Sequence, residues 1–185
     1  MSILSFILLL PLLGAGLIAL WPREQRVAIR AIALATTSLS MLLDVWAFAG
    51  FTGAAEGLGG FKYVHRVAWV DALGIHYLVG ADGINIGLIL MAAIVSFAAV
   101  CVSHSIEERF KEFHFLMLLM ITGILGDFMS IDLFFFYFFH ELALIPTFIM
   151  IGVWGRGEQR QYATYKMTLY LTLGALVALA GLVLL

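Results

Sequence analysis

The sequence predicts an all-α polytopic bundle of about six transmembrane helices with its amino terminus outside, and three observations carry that reading. Apolar residues fill 63% of the 185 positions and charged residues only 12%, against about 25% charged in an ordinary soluble domain. The apolar residues form continuous runs of about 20, the length that crosses a hydrocarbon core as a helix. Barrel strands would alternate in polarity and stop after about 10 residues. Finally, the lysines and arginines gather in alternate loops, as they do when one side of a membrane retains positive charge.

The predicted spans lie at 2–20, 31–51, 81–103, 113–129, 132–153 and 162–185, all within a single membrane domain over 1–185. The first, in "MSILSFILLLPLLGAGLIALWPREQR", has no basic residue before its apolar run and is too long for a signal-peptide core. It reads as a retained span. The fourth and fifth are joined through "GDFMSID" and form a tight antiparallel hairpin of helices. The outer loop, 52–80, contains "FKYVHRVAWVDALGIHYLVGADG", short β-branched and aromatic runs broken at "DALG". That pattern predicts a small β-hairpin lying on the helix ends. "GLGG" at 57–60 is a flexible turn without the strand–helix setting of a nucleotide loop. The sixth run ends in "GLVLL" with no polar flank, so the chain reads as the amino-terminal part of a larger fold.

Placing the first, third and fifth loops on one side collects Arg23, Arg26, Arg30, Arg109, Lys111, Arg156, Arg160 and Lys166, and leaves Lys62 and Arg66 opposite. That side is the inner one. The net charge of −2 says nothing about nucleic acid, but no basic cluster is present for a phosphate backbone, so no nucleic-acid partner is expected. The lone Cys101 excludes an internal disulfide framework and a cysteine-held cluster.

The chemistry-bearing candidate is Glu141, tenth residue of the fifth predicted span. At 1.5 Å per residue it lies about 14 Å below the outer end, close to the midplane. A charge there costs roughly 2.5–3.5 kcal/mol on insertion scales, and intramembrane carboxyls generally mark ion or proton pathways. The plainer alternative is a permanently neutral acid bonded to a neighbouring helix. Pro146 follows five residues later and deprives the carbonyl of Leu142 of its helical N–H partner, which makes that turn hydratable. Tyr137, one turn before Glu141, is placed to hydrogen-bond it. His140 projects about 100° away from Glu141 and is a candidate second relay group. Lys166, near the inner end of the sixth span, either snorkels to the interface or lines a proton entry.

The remaining ionisable groups read as structural. Asp44 is expected to reach the outer interface, Asp127 and Asp132 to flank the outer turn, and Asp82 to cap the third span. No two of His65, His76, His104, His114 and His140 share a depth on facing helices, so a bis-histidine haem has no site.

"FYFFHELALIPTFIMIGVWG" (136–155) closely resembles the fifth helix of the M-type antiporter-like membrane subunit family of respiratory complex I, relatives of mitochondrial subunit 4. "HYLVGADGINIGLIL", "FHFLMLLMITGILGDFMSIDLF" and "YATYKMTLY" resemble the same family, extending the likeness over roughly 76–173. The resemblance implies a membrane subunit of a proton-pumping NADH:quinone oxidoreductase, contributing part of a proton channel driven by electron transfer elsewhere. It places the family's key glutamate at Glu141, with a basic partner on a later helix outside this chain, and the "YATYK" lysine at Lys166. It implies no cofactor in this chain, with NADH, FMN, iron–sulfur clusters and quinone in partner subunits. Partners would be neighbouring antiporter-like subunits and the lipid bilayer, in a bacterial plasma membrane or, less favoured, an organelle inner membrane. The rival readings are a subunit of a related cation/proton antiporter or membrane-bound hydrogenase, and a non-catalytic membrane scaffold.

Overall fold

A computed structural model describes residues 2–70, 72 and 74–184. Met1, Asp71 and Leu73 of the expected turn, and Leu185 at the end of the sixth predicted span lie outside the described residues.

Six helices follow in order: α1 Ile3–Leu20, α2 Arg26–Gly50, α3 Asn85–Val102, α4 Phe110–Met129, α5 Leu133–Trp154 and α6 Arg160–Val183. All six are long and apolar enough to cross a membrane. Between α2 and α3 the expected hairpin forms from β1 Lys62–Val70 and β2 Ile75–Ala81, paired antiparallel. Helix α2 begins at Arg26 and α4 at Phe110, both earlier than the apolar runs alone suggest. The reason is that their first turns are amphipathic inner-surface turns carrying arginine and lysine.

Helix α4 is the axis of the bundle: it packs against α1, α2, α3 and α5. Its Leu118, Ile121, Leu125 and Met129 are almost wholly buried and meet Leu4, Ile7 and Leu8 of α1 in one core. Helix α6 is held by α5 and leaves most of its apolar surface open. Between α4 and α5 the backbones come close because Gly123 has no side chain. A Cβ there would lie 2.5 Å from the Ala143 nitrogen and 2.8 Å from its Cα. One turn on, Gly126 seats the Phe139 ring. Small residues allow such approaches between membrane helices, where dispersion and hydrogen bonds drive packing.

Several threonine hydroxyls inside the bundle are satisfied locally. Thr37 donates to the Ala33 carbonyl at 2.7 Å, Thr122 to Leu118 at 2.8 Å and Thr147 to Ala143 at 2.8 Å, each one turn back along its own helix. Pro11 removes the N–H that would bond the Ile7 carbonyl. The Ser40 hydroxyl of α2 replaces it at 3.1 Å, tying α1 to α2.

The expected inner cations are used as ties. Lys111 donates to the Ala19 and Trp21 carbonyls at 2.8 Å each, closing the end of α1. Arg30 donates to the His104 carbonyl, and Arg23 meets Glu112 at 3.1 Å. At the outer end the hairpin lies on the helices. The Ile131 N–H donates to the Leu78 carbonyl at 2.9 Å, and Tyr77 meets Phe135 edge to face at 5.5 Å. The Tyr77 hydroxyl donates to Ser5 at 3.2 Å, and Ser5 pairs with His65 at 2.9 Å. Burial pushes the Tyr77 phenol above its ordinary value, with the Ser5 hydrogen bond pulling the other way, so Tyr77 stays a protonated donor at neutral pH.

Two of the expected caps form. Asp132 accepts from the Phe134 and Phe135 N–H groups at 2.9 and 3.2 Å while its other oxygen accepts from His76 N–H at 3.2 Å. Asp82 accepts from Ile84 and Asn85 at 2.8 and 2.6 Å where the chain turns into α3.

Asp132→Ala should lower stability by about 1–2 kcal/mol, because it frees the start of α5 and one hairpin anchor together; thermal unfolding in detergent measures this. Gly123→Val should cost about 1–3 kcal/mol by overpacking α4 against the α5 backbone, whereas a valine at the open Gly16 has space around it and should leave packing intact.

Candidate functional site

The fifth helix is mostly aromatic and aliphatic and is helical because a helix satisfies its own backbone in lipid; its only acidic residue after the cap is Glu141, ninth in the helix. Its carboxyl is half-buried. Tyr137, one turn earlier on the same helix, lies within electrostatic reach of it. Among the described residues no lysine, arginine or histidine stands at ion-pair distance from Glu141.

Pro146 is buried inside the same helix. Like Pro11, it leaves a carbonyl without an N–H partner, here that of Leu142 beside Glu141. The two prolines then differ. Ser40 serves the carbonyl freed by Pro11, while no side chain among the described residues donates to Leu142. A carboxyl and an open carbonyl therefore occupy adjacent positions on α5, a turn with more acceptors than protein donors.

The structure separates some expected site residues and joins others. Lys166 is exposed on α6, its ammonium 5.8 Å from the Tyr162 ring centre, and it makes no pair with Glu141. His140 gains a partner that sequence spacing did not show: its Nδ1 stands 3.9 Å from Oδ2 of Asp127. Asp127 is expected as a turn-flanking residue, but α4 continues past it to Met129. The close α4–α5 approach turns it toward α5. Only a loop-length argument, that a tight connection keeps the adjoining turns of both helices opposed, could have raised this pair.

Asp44 requires a correction. It is expected at the outer interface, yet it is 1% exposed, and neither carboxyl oxygen has a hydrogen-bond partner among the described residues. The physical reason is its place on the inward stripe of α2, Ile29, Ala33, Thr37, Ser40, Asp44 and Ala47. The hairpin covers the end of that stripe, with the Tyr63 hydroxyl donating to the Ala47 carbonyl at 3.1 Å.

Two of the cavities that adjoin α5 lie nearest the Glu141 turn. An apolar cleft of about 460 Å³ lies between α1, α5 and the hairpin, lined by Leu8, Leu12, Trp69, Phe135, Phe139 and Leu142 among others. A groove of about 320 Å³ runs between α5 and α6 and is lined by Phe136, Tyr137, His140, Tyr170 and Gly174. Both Tyr137 and His140 line the second.

Comparisons with known proteins agree with this architecture. Residues 130–185 match the family described as NADH:quinone oxidoreductase/Mrp antiporter, TM. The NADH-quinone oxidoreductase subunit M of Rhodobacter capsulatus is 33% identical over 98% of this chain and 35% of its own length. The chloroplastic NAD(P)H-quinone oxidoreductase chain 4 of Chara vulgaris is 35% identical over 94% of this chain and 34% of its own. A chain of respiratory complex I from Thermus thermophilus superposes with a TM-score of 0.77 and 30% identity, covering 96% of this chain and 34% of that one. An archaeal membrane-bound sulfane sulfur reductase complex shares the fold, with a TM-score of 0.77 at 21% identity. The chain spans about one third of the length of the relatives it matches. By identity along nearly its whole length and by superposition of its fold, the chain belongs to the family of M-type, or chain 4, antiporter-like membrane subunits of NADH-quinone oxidoreductases.

Proposed function

We propose that the chain contributes part of a proton-translocation channel to a membrane NADH:quinone oxidoreductase, with Glu141 as the proton-binding group. The observation that carries this reading is the turn around Glu141. A carboxyl deep in an apolar helix stands beside a carbonyl that Pro146 deprives of its partner, with Tyr137 one turn away and within electrostatic reach. An acid kept merely for packing would be expected to have its bonding completed by the protein, as happens at Pro11. Here acceptors are left over, and leftover acceptors in a membrane recruit water.

Protonated, Glu141 carries no charge and its desolvation cost falls; a cation brought close favours the ionised form and releases the proton. The basic partner would come from outside this chain, since Lys166 stands elsewhere. A charge shift transmitted from neighbouring antiporter-like subunits would move that cation and so load and unload Glu141. Lys166, near the inner end of α6, would serve as a cation at the inner mouth. No redox step belongs to this chain: NADH oxidation, flavin, iron–sulfur clusters and quinone would reside in partner subunits. The setting would be a bacterial plasma membrane. The relatives' names favour this reading over a hydrogenase subunit, and the family description keeps a cation antiporter as the second reading.

Glu141→Gln should lower NADH-driven proton pumping by the assembled complex about tenfold or more, at unchanged amounts of complex in the membrane. Pumping at the wild-type rate would remove the role assigned to Glu141 and leave the scaffold reading. Pumping that instead follows an imposed sodium gradient would select the antiporter reading.

A further inference from the structure

Some of the cations at the inner end of the bundle are not used as ties. A cavity of about 380 Å³ lies where the first two inner loops meet, and Arg23, Arg26, Arg109 and Lys111 all line it. Two carboxylates, Glu107 and Glu112, share it, so four cations stand against two anions. Arg23 pairs with Glu112, and Lys111 is occupied by the Ala19 and Trp21 carbonyls. Among the described residues, neither Arg26 nor Arg109 has a carboxylate at ion-pair distance. The cavity therefore keeps an excess of two positive charges that the chain itself does not balance.

Its walls are fixed from three sides. The Arg30 guanidinium stands 5.0 Å from the Phe110 ring centre and joins the first turns of α2 and α4. The Lys111 bonds hold the end of α1 against them. Trp154 donates to the Glu108 carbonyl at 2.8 Å, and its ring centre lies 6.0 Å from the Arg109 guanidinium, which pins the second inner loop to the end of α5. Helices α2 and α4 both begin at this cavity and neither start has a side-chain cap, so their first N–H groups add partial positive charge to that of the side chains.

The place of the cavity selects its ligand. It lies at the ends of membrane spans, on the side that retains positive charge. Leu20, the last residue of α1, and Val27, in the first turn of α2, stand exposed next to Trp21 and Arg26. An anion joined to hydrocarbon chains uses both features, with its phosphate among the cations and its chains along Leu20 and Val27. Free phosphate would use the cations alone. Arginine forks match phosphate oxygens in pairs, and at about 30 Å³ per water the volume holds a phosphate together with water. We propose that this cavity binds the phosphate of an anionic phospholipid of the inner leaflet, with Arg26 and Arg109 as its main ligands. The site does not depend on the role given to Glu141. The competing account is a diffuse surface charge that sets orientation and gathers anionic lipid without fixing it.

The test reconstitutes the whole complex into phosphatidylcholine bilayers containing phosphatidylglycerol with a photoactivatable acyl chain, and maps the label on residues 19–30 at equal amounts of assembled complex. Photoactivatable phosphatidylcholine with the same chains gives the background. Phosphatidylglycerol should label the segment about fivefold or more above that background. Arg26→Gln should remove most of the excess, and so should Arg109→Gln, which decides alone if Arg26→Gln fails to assemble. Arg156→Gln removes an inner cation outside the cavity and should leave the labelling unchanged. Equal labelling by the two lipids, or labelling undiminished in Arg26→Gln and Arg109→Gln, would overturn the proposal. An equal loss in Arg156→Gln would overturn it too, because surface charge alone would then gather the lipid. Inorganic phosphate at constant ionic strength should not displace the lipid; displacement at millimolar phosphate would assign the cavity to the free ion instead.

Discussion

Inside a bilayer no water is at hand to bond a free backbone N–H or carbonyl, and this scarcity governs the whole chain. It dictates helices, and it makes every interruption of a helix a place where something else must supply a bond. The two buried prolines show both answers. At Pro11 the protein supplies the bond from Ser40, and the result is a fastening between α1 and α2. At Pro146 no side chain among the described residues donates to the freed carbonyl of Leu142 beside Glu141. The same backbone defect is therefore met by a neighbouring helix's hydroxyl in one place and by none in the other.

Helix α4 converts this local chemistry into a site. Because Gly123 and Gly126 present no side chains, α5 settles directly on the α4 backbone and on the space that holds the Phe139 ring. That close approach fixes the rotation of α5. It faces Asp127 with His140 and leaves Tyr137 opening toward α6. A bulkier α4 surface would push the two helices apart and dissolve the pair without altering a single ionisable residue. On another part of α5, Phe135, Phe138 and Phe139 stand in mutual ring contact.

The two ends of the bundle are closed by different elements. On the inner side, Lys111 and Arg30 bond the carbonyls that terminate α1 and the turn after α3, so the residues that set orientation also close helix ends. On the outer side the β-hairpin does that work, with Lys62 donating to the Phe51 and Thr52 carbonyls just past the end of α2. Tyr77, Ser5 and His65 form a small hydrogen-bonded cluster under it, and Asp132 serves as both helix cap and hairpin anchor. The hairpin also covers the end of the α2 stripe and thereby seals Asp44 inside, away from any partner among the described residues.

Much of this was legible in the residues alone. Run length and the scarcity of charge determine six helices, since only a helix satisfies its own backbone in lipid. The loop cations determine which ends lie together, and β-branched alternation determines the hairpin at 62–81. The position of Glu141 and the proline defect beside it are facts of one helix, so one helix's sequence suffices to find them. What only the tertiary structure decided are the meetings between helices. Ser40 serves Ile7, Asp127 faces His140, Asp44 turns inward instead of outward, and Lys166 stands apart from Glu141. Hydrophobic periodicity is nearly silent in helices apolar on every side, so it cannot say which face turns inward. Rotation about the helix axis is set by where small residues let backbones touch, and that is a property of pairs of helices.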